Sequence, residues 1–317
     1  MAQAVIIAGG KGTRLRPLTY GCPKPMLPLL DRPFLQWLVE RCVAAGVTDI
    51  LVNVHYQALQ VREFLGDGKQ WGAQIRYIEE VTPLDTAGAI TLARPYFTGE
   101  PLLVFNADIL TDLDLRALLA FHHQHQNAVT LTLTRVEDIT PYGLVELDSN
   151  SCVLAFREKP TPAQAELYLA QGINTINAGT YVIQPDLFAL YPLGEPLSFE
   201  RVFFPDILDR GYRMMGFVWE GYWLDVGTPQ KFYQAQLDIL QGKVKFTWRA
   251  QMRSPGIWVG ENTNISDRAI LHPPCYIGDN SYVGEKAVIP PGTIVGANSW
   301  LNNCLAAGVY PPGTLVL

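Results

Sequence analysis

The chain has 317 residues, 48% hydrophobic and 17% charged, with a formal net charge of −6. This is the composition of a globular protein large enough for one sizeable core and a smaller module, and its acidity speaks against nucleic acid and anionic membranes as partners. No apolar run approaches the roughly 18–20 residues of a membrane span. The N-terminus lacks the basic-then-apolar pattern of a signal peptide. Five cysteines, Cys22, Cys42, Cys152, Cys275 and Cys304, are odd in number and show no paired spacing, so neither a disulfide framework nor a zinc site is indicated. A cytoplasmic protein is expected.

The charge is unevenly spread. Residues 1–32 carry Lys11, Arg14, Arg16, Lys24 and Arg32 against the single Asp31, so the remainder of the chain totals −10. A local cationic patch on an acidic protein suits a small polyanion better than a long one.

The first predicted element is a short buried strand, Val5-Ile6-Ile7. It breaks into Gly9, Gly10 and Gly12, followed by Arg14, Arg16 and, between two prolines, Lys24. Glycines let backbone N–H groups wrap phosphate oxygens, and arginine adds forked, permanently charged donors. Two better-known loops are excluded. A dinucleotide fingerprint needs a third glycine where Leu15 stands, and a P-loop needs Gly-Lys-Ser/Thr.

Asp31-Arg-Pro33 reads as a helix start, with apolar positions from Phe34 to Val43 at helical spacing and Gly46 as its stop. Strands are predicted at 50–54, 75–78 and 101–105, with helices at 58–65 and from Thr86. Strands alternating with helices, several apolar throughout, indicate a three-layer α/β domain with a mostly parallel sheet. Ligands of such sheets bind outside the carboxyl ends of the strands. The glycine loop lies at such an end, and so does Asp108, where the strand PLLVF runs into Asn106-Ala107-Asp108. By itself the Asn106/Asp108 pair reads equally as a turn former or as a strand-tip carboxylate, a usual ligand for Mg²⁺ with waters and substrate phosphates completing the octahedron.

A helix over 112–125 ends in His122, His123 and His125, read as the exposed polar end of the helix and not as a metal site. Further strands are expected at 129–134, 142–147, 153–157, 176–183 and 214–219, and helices at 198–208 and 229–240. Asp225 lies between the last strand and the last helix, beside aromatic residues.

From Val259 an aliphatic residue recurs at every sixth position: Val259, Ile265, Leu271, Ile277, Val283, Ile289, Val295 and Leu301. This is the hexapeptide repeat of a parallel β-helix, each aliphatic side chain stacking on the one a coil away. The pattern resembles the left-handed form, with three hexads per coil. The frame fails after Leu305, and Pro311-Pro312-Gly313 is expected to end the stack. An exposed coil end leaves unpaired edges, so a homo-oligomer is expected. The domain boundaries read as 1–240 for the α/β domain, 241–256 for a linker and 257–317 for the β-helix.

Taken in order, GGKGTRLRPL from Gly9, PKPMLPL from Pro23, TAGA from Thr86, NAD at Asn106, YG at Tyr142, EKP at Glu158, INAG at Ile176 and WLDVG at Trp223 resemble the sugar-1-phosphate nucleotidyltransferases. The resemblance covers about residues 3–240, and the tail is similar to members that append a left-handed β-helix. It implies a Rossmann-like nucleotidyltransferase domain with a mixed, mostly parallel sheet. The loop with PKPM resembles mannose-1-phosphate guanylyltransferases most, with glucose-1-phosphate uridylyl- or thymidylyltransferase as the alternative. The implied substrates are an NTP (GTP favoured, UTP or dTTP as alternatives) and a hexose 1-phosphate, with Mg²⁺ as cofactor.

Residue by residue, the resemblance implies that Ala8, Gly9, Gly10, Gly12, Thr13, Asp85 and Gly88 surround the nucleotide. Arg14 and Lys24 would bind its phosphates, and Asp108 and Asp225 would share Mg²⁺. Lys159 would bind the sugar phosphate, while Gly143, Glu158 and Asn177 would contact the sugar. One departure stands out: Asp85 occupies a position where the family usually has glycine. Two rival classes are a non-catalytic nucleotide-sugar-binding regulatory subunit and an acyltransferase working through the β-helix with His272 as base. Intact Arg14, Lys24, Asp108 and Asp225 argue against the first, and fewer than three coils against the second.

Overall fold

A computed structural model describes residues 2–157 and 159–317; Glu158 therefore lies outside the described residues. The chain divides into two compact units. One comprises Met1–Lys11, Cys22–Lys24 and Leu38–Trp223, the other Gly12–Gly21, Pro25–Trp37 and Leu224–Leu317.

The first unit is built on a nine-stranded mixed sheet. Its strands are β1 (Gln3–Ile7), β2 (Asp49–Val54), β3 (Gln74–Glu79), β4 (Leu102–Asn106), β5 (Val129–Arg135), β6 (Leu144–Leu147), β7 (Val153–Arg157), β8 (Thr175–Ile183) and β9 (Met214–Val218). The order along the main path is β7-β6-β8-β4-β1-β2-β3, with β5 pairing both β8 and β9. β1 lies parallel to β2 on one side and to β4 on the other, so that Ile7 sits opposite both Asn53 and Asn106. β8 reverses direction against β4 and β5. The apolar runs read from the sequence are buried because helices cover this sheet: Val5, Leu51, Val104, Leu131 and Tyr181 are all fully inaccessible in one core.

The helices are α1 (Phe34–Ala44), α2 (Ala58–Leu65), α3 (Asp85–Thr91), α4 (Leu115–His125), α5 (Pro162–Ala170), α6 (Phe204–Asp209) and α7 (Pro229–Leu240). α1 begins at Phe34 because Arg32–Pro33 pairs instead with Pro28–Leu29 as a small antiparallel ribbon. The helix expected over 198–208 begins as a π-helical turn, Phe199–Phe203, and runs into α6, which starts beside Pro205. Its wider winding sends Phe199, Phe203 and Phe204 into the core together, where Phe199 stacks on Phe204 at 4.8 Å and Phe203 on Phe188 at 4.9 Å.

One expectation about α4 is corrected. His122 is not at an exposed helix end; it is 1% accessible, with Nδ1 2.9 Å from Thr130 Oγ1 and Nε2 3.1 Å from Gln184 Nε2. One partner starts the next strand and the other follows a strand 62 residues on, so helix position alone does not reveal the burial.

In the second unit, strands of the tail stack in parallel with an 18-residue step: Ile257 on Cys275 on Thr293, Ile265 on Val283 on Leu301, and Leu271 on Ile289. The sixth-position aliphatics form its core. Asn262, Asn280 and Asn298 repeat at the same step with left-handed φ, and Asn262 Nδ2 donates to Asn280 Oδ1 at 3.3 Å. The stack does not end at Pro311. Tyr310 pairs beneath Val295 and Val316 beneath Leu301, so a last coil forms with a 15-residue step. The loss of the hexad frame marks this shortened step. Part of the expected linker also joins the coils, since Gln251–Ser254 pairs antiparallel with Ile257–Val259. Tyr233 on α7 donates to the Gly292 carbonyl at 2.7 Å.

Candidate active site

In the first unit, the glycine turn leaves the carboxyl end of β1 between two parallel neighbours, which is the switch point where α/β sheets bind ligands. Ala8 is buried and its N–H donates to the Asn53 carbonyl at 3.0 Å. Gly9 has no room for a side chain: a Cβ there would lie 2.8 Å from Glu80 Oε1 and 3.2 Å from His55 Cβ. A Cβ on Gly10, by contrast, would meet nothing within 4 Å. The two glycines therefore differ, Gly9 fitted against protein and Gly10 open on its outer side.

Glu80 escaped the sequence reading. It is buried, accepts the Leu84 N–H through Oε2 at 3.0 Å, and its carboxyl is pushed up by burial. Nothing in its local pattern, a polar residue at the end of a strand, distinguishes it from a solvated end.

Asp108 follows β4 at the same edge of the sheet. Lys24 Nζ meets its Oδ2 at 2.5 Å, with the two side chains 14% and 26% exposed. Two residues singled out 84 positions apart are thus in contact.

Gly143 and Asn177 are also brought together. Both line a cleft of about 290 Å³, together with Arg157, Glu200 and Arg201. Asn177 Nδ2 donates to Tyr181 Oη at 2.9 Å and reaches Glu200 Oε1 at 3.4 Å, while its Oδ1 accepts the Gly179 N–H at 3.1 Å. Tyr181 is held as a phenol by its burial, with Glu200 pushing in the same direction. Arg157 donates to Glu146 Oε2 from Nη2 at 2.6 Å and from Nε at 3.1 Å. Lys159, two residues beyond β7, is exposed and has a left-handed φ of 32°. Glu200 and Arg201 were not singled out from the sequence. They ride between buried phenylalanines on the π-helical turn, where a charged dipeptide reads as ordinary surface.

Asp85 opens α3 with φ 62°, and its Oδ2 accepts from Arg201 Nη2 at 2.6 Å. Gly88 is buried where a Cβ would lie 2.5 Å from the Glu195 carbonyl oxygen, so α3 approaches that backbone as only glycine allows.

In the second unit, Gly12 has a left-handed φ of 58° and leads into a 3₁₀ turn, Thr13–Leu15, anchored by the buried Leu15. Thr13 and Arg14 are exposed. Thr19 Oγ1 donates to the Gly12 carbonyl at 2.9 Å and closes this loop. Asp225 stands four residues before α7, whose first turn is capped by Thr228 accepting from Lys231 N–H at 3.3 Å. Its Oδ2 is 3.7 Å from Lys231 Nζ, and its buried Oδ1 has no hydrogen-bond partner among the described residues. A Cβ on Gly227 would lie 2.9 Å from Asp225 Oδ1 and 3.0 Å from Arg14 Nη2. An orphaned, buried carboxylate oxygen fits a hard cation, which supplies what a hydrogen-bond donor does not. Among the described residues no group of three or more His, Cys, Asp or Glu side chains could hold a metal, and no helix is long and apolar enough to cross a membrane.

Comparison with known proteins bears on both units. A nucleotidyl transferase family profile matches residues 3–242, and a bacterial transferase hexapeptide profile matches 256–291. The chain is 39% identical over 241 residues to a mannose-1-phosphate guanylyltransferase of Mycobacterium tuberculosis, covering 76% of this chain and 65% of that protein. It is 32% identical over 261 residues to the catalytic subunit beta of the Drosophila melanogaster enzyme of that name, covering 81% and 66%. The chain thus spans just under two thirds of the length of these relatives. Among solved structures, HddC from Yersinia pseudotuberculosis complexed with GMP-PN has a TM-score of 0.63 at 28% identity over 75% of this chain and all of that one. A putative glucose-1-phosphate thymidylyltransferase from Bacillus anthracis has a TM-score of 0.68 at 22% identity, over 78% and 98%, which speaks to the fold alone.

Proposed function

The chain belongs to the nucleotidyl transferase family, and on that premise we propose that it transfers a nucleotidyl group from an NTP to a hexose 1-phosphate. The favoured pair is GTP and mannose 1-phosphate, giving GDP-mannose and pyrophosphate. A phosphate oxygen of the sugar 1-phosphate attacks the α-phosphorus in line. A new P–O bond forms, the bond from the α-phosphorus to the bridging oxygen breaks, and pyrophosphate leaves with that electron pair.

Two anions must meet, so catalysis is chiefly positioning and charge neutralisation. Residues 9–13 offer backbone N–H groups to the phosphates, and Arg14 and Lys24 add cationic donors. Lys159 takes the sugar phosphate. Gly143 and Asn177, joined by Glu200 from the same cleft wall, meet the sugar hydroxyls. Asp108 and Asp225 would hold Mg²⁺, which when bound neutralises charge on the reacting phosphate. No serine or cysteine nucleophile is required.

The observation that carries this reading is the contact of Lys24 with Asp108 at the carboxyl edge of the parallel strands from which the glycine turn also emerges. The names of the relatives, mannose-1-phosphate guanylyltransferases, favour guanosine and mannose. A pyrophosphate-release assay with four NTPs against mannose, glucose and N-acetylglucosamine 1-phosphates tests it. Turnover fastest with GTP and mannose 1-phosphate is the expected outcome, and no release with any pair overturns it.

A further inference from the structure

Asp85 is tied to a residue of the cleft wall, Arg201, through an ion pair. Its φ of 62° is a conformation that glycine adopts freely and aspartate tolerates, so the backbone there does not call for a carboxylate. The side chain has a specific destination instead. Segments 84–88 and 195–201 are zipped together: Leu197 N–H donates to the Leu84 carbonyl, Ala87 and Gly88 N–H both donate to the Leu197 carbonyl, and Phe199 N–H donates to Thr86 Oγ1, each at 2.9 Å. At the end of this zipper Asp85 Oδ2 meets Arg201 Nη2 at 2.6 Å.

Arg201 and Arg157 are the two guanidinium groups of the cleft wall. Each is matched by a carboxylate from outside it, Arg201 by Asp85 and Arg157 by Glu146. Glu200 adds a carboxylate to the wall itself. Among the described residues, a second anionic group on a bound sugar would therefore meet two guanidiniums already neutralised and one like charge.

Resting on the reading of this cleft as the sugar site, we propose that Asp85, acting through Arg201, sets the charge of the cleft and makes it prefer hexose 1-phosphates with no other ionised group over those with a second anion. Asp85 is a positioning residue here, since it touches Arg201 and not the sugar. With Asp85 removed, Arg201 presents an unmatched positive charge to the cleft, and a substrate such as a hexose 1,6-bisphosphate gains an attractive partner. Arg201 is 70% exposed, so solvent screens the gain to roughly three- to tenfold.

The test uses the full chain and the variants Asp85→Gly, Asp85→Asn and Asp85→Glu. Glycine suits the left-handed backbone and asparagine is near-isosteric, so folding is preserved. Two quantities are read for mannose 1-phosphate and mannose 1,6-bisphosphate: kcat/KM with GTP, and Kd by calorimetry. The preference should move toward the bisphosphate about three- to tenfold in Asp85→Gly and Asp85→Asn and stay put in Asp85→Glu. Adding Arg201→Gln to Asp85→Asn should return it to the wild-type value. An unchanged preference in Asp85→Asn, or a shift that survives Arg201→Gln, overturns the proposal. The calorimetric arm reads the preference without turnover, so a failure of the transferase reading shows separately as absent pyrophosphate release.

Discussion

Lys24 Nζ stands 2.5 Å from Asp108 Oδ2, a cation already seated on a carboxylate proposed to serve the metal. Both are partly exposed, so the pair contributes little to stability, on the order of 1 kcal/mol or less. Its importance should lie in the chemistry. Asp108→Asn and Lys24→Met are each expected to lower kcat by about 100-fold or more, the usual scale for one preorganised charge. Their Tm values should stay within about 4 °C of the parent. Near-normal turnover in either variant would remove that residue from the proposed machinery.

Gly227 tests the other carboxylate without altering it. A methyl group there would press on Asp225 Oδ1 at 2.9 Å and on the Arg14 guanidinium at 3.0 Å. The exposed Arg14 can move aside, whereas the buried Asp225 oxygen has less freedom. Gly227→Ala is expected to lower kcat about tenfold or more and to raise the magnesium concentration for half-maximal rate, as Asp225→Asn should do more strongly. A magnesium titration reads this. Identical dependence in parent and variants would count against Asp225 as a metal ligand.

Burial lowers the His122 imidazole from 6.5 to about 4, with neighbouring His123 acting in the same direction. A depressed pKa in the folded state means that the unfolded chain binds the proton first. Stability from this group is complete above pH 6.5 and is lost progressively as pH falls toward 4, by about 3 kcal/mol at most. Urea unfolding at pH 7, 6, 5 and 4 should show a shallower acid loss in His122→Gln than in the parent. Parallel curves would assign the acid sensitivity to other groups.

Two glycines should respond in opposite ways. A Cβ on Gly278 would lie 2.5 Å from the Ala297 nitrogen on the next coil, so Gly278→Ala forces coils apart and should cost about 1–3 kcal/mol in thermal unfolding. A Cβ on Gly10 meets nothing within 4 Å among the described residues, so Gly10→Ala should leave Tm unchanged and raise KM for the NTP several-fold. An unaltered KM would mean that phosphates do not approach Gly10.

What the sequence made legible follows from the range of the forces involved. The sixth-position aliphatics announce the coils because each obeys the same packing rule. β1 and β4 announce themselves as apolar runs, and the family motifs lie in the turns that follow such strands. Local pattern fails where partners are remote. Asp85 and Arg201 are 116 residues apart, and no property of either one alone predicts the pair. α5 escaped because its weak apolar periodicity gives no stripe, although Thr161 and Gln164 cap its start reciprocally. Glu80 and His122 were hidden for the same reason: burial is decided by what packs on a residue, not by its neighbours in the chain.

The 18-residue step has a consequence for how such a tail can change. Ile277 and Val295 occupy equivalent places on successive coils, so excising 278–295, or repeating it, returns the chain to the same phase. Each such edit alters the tail by one layer of about 4.8 Å. The β-helix can thus be reset in whole layers, and the 15-residue last step shows that a coil also closes with three residues fewer.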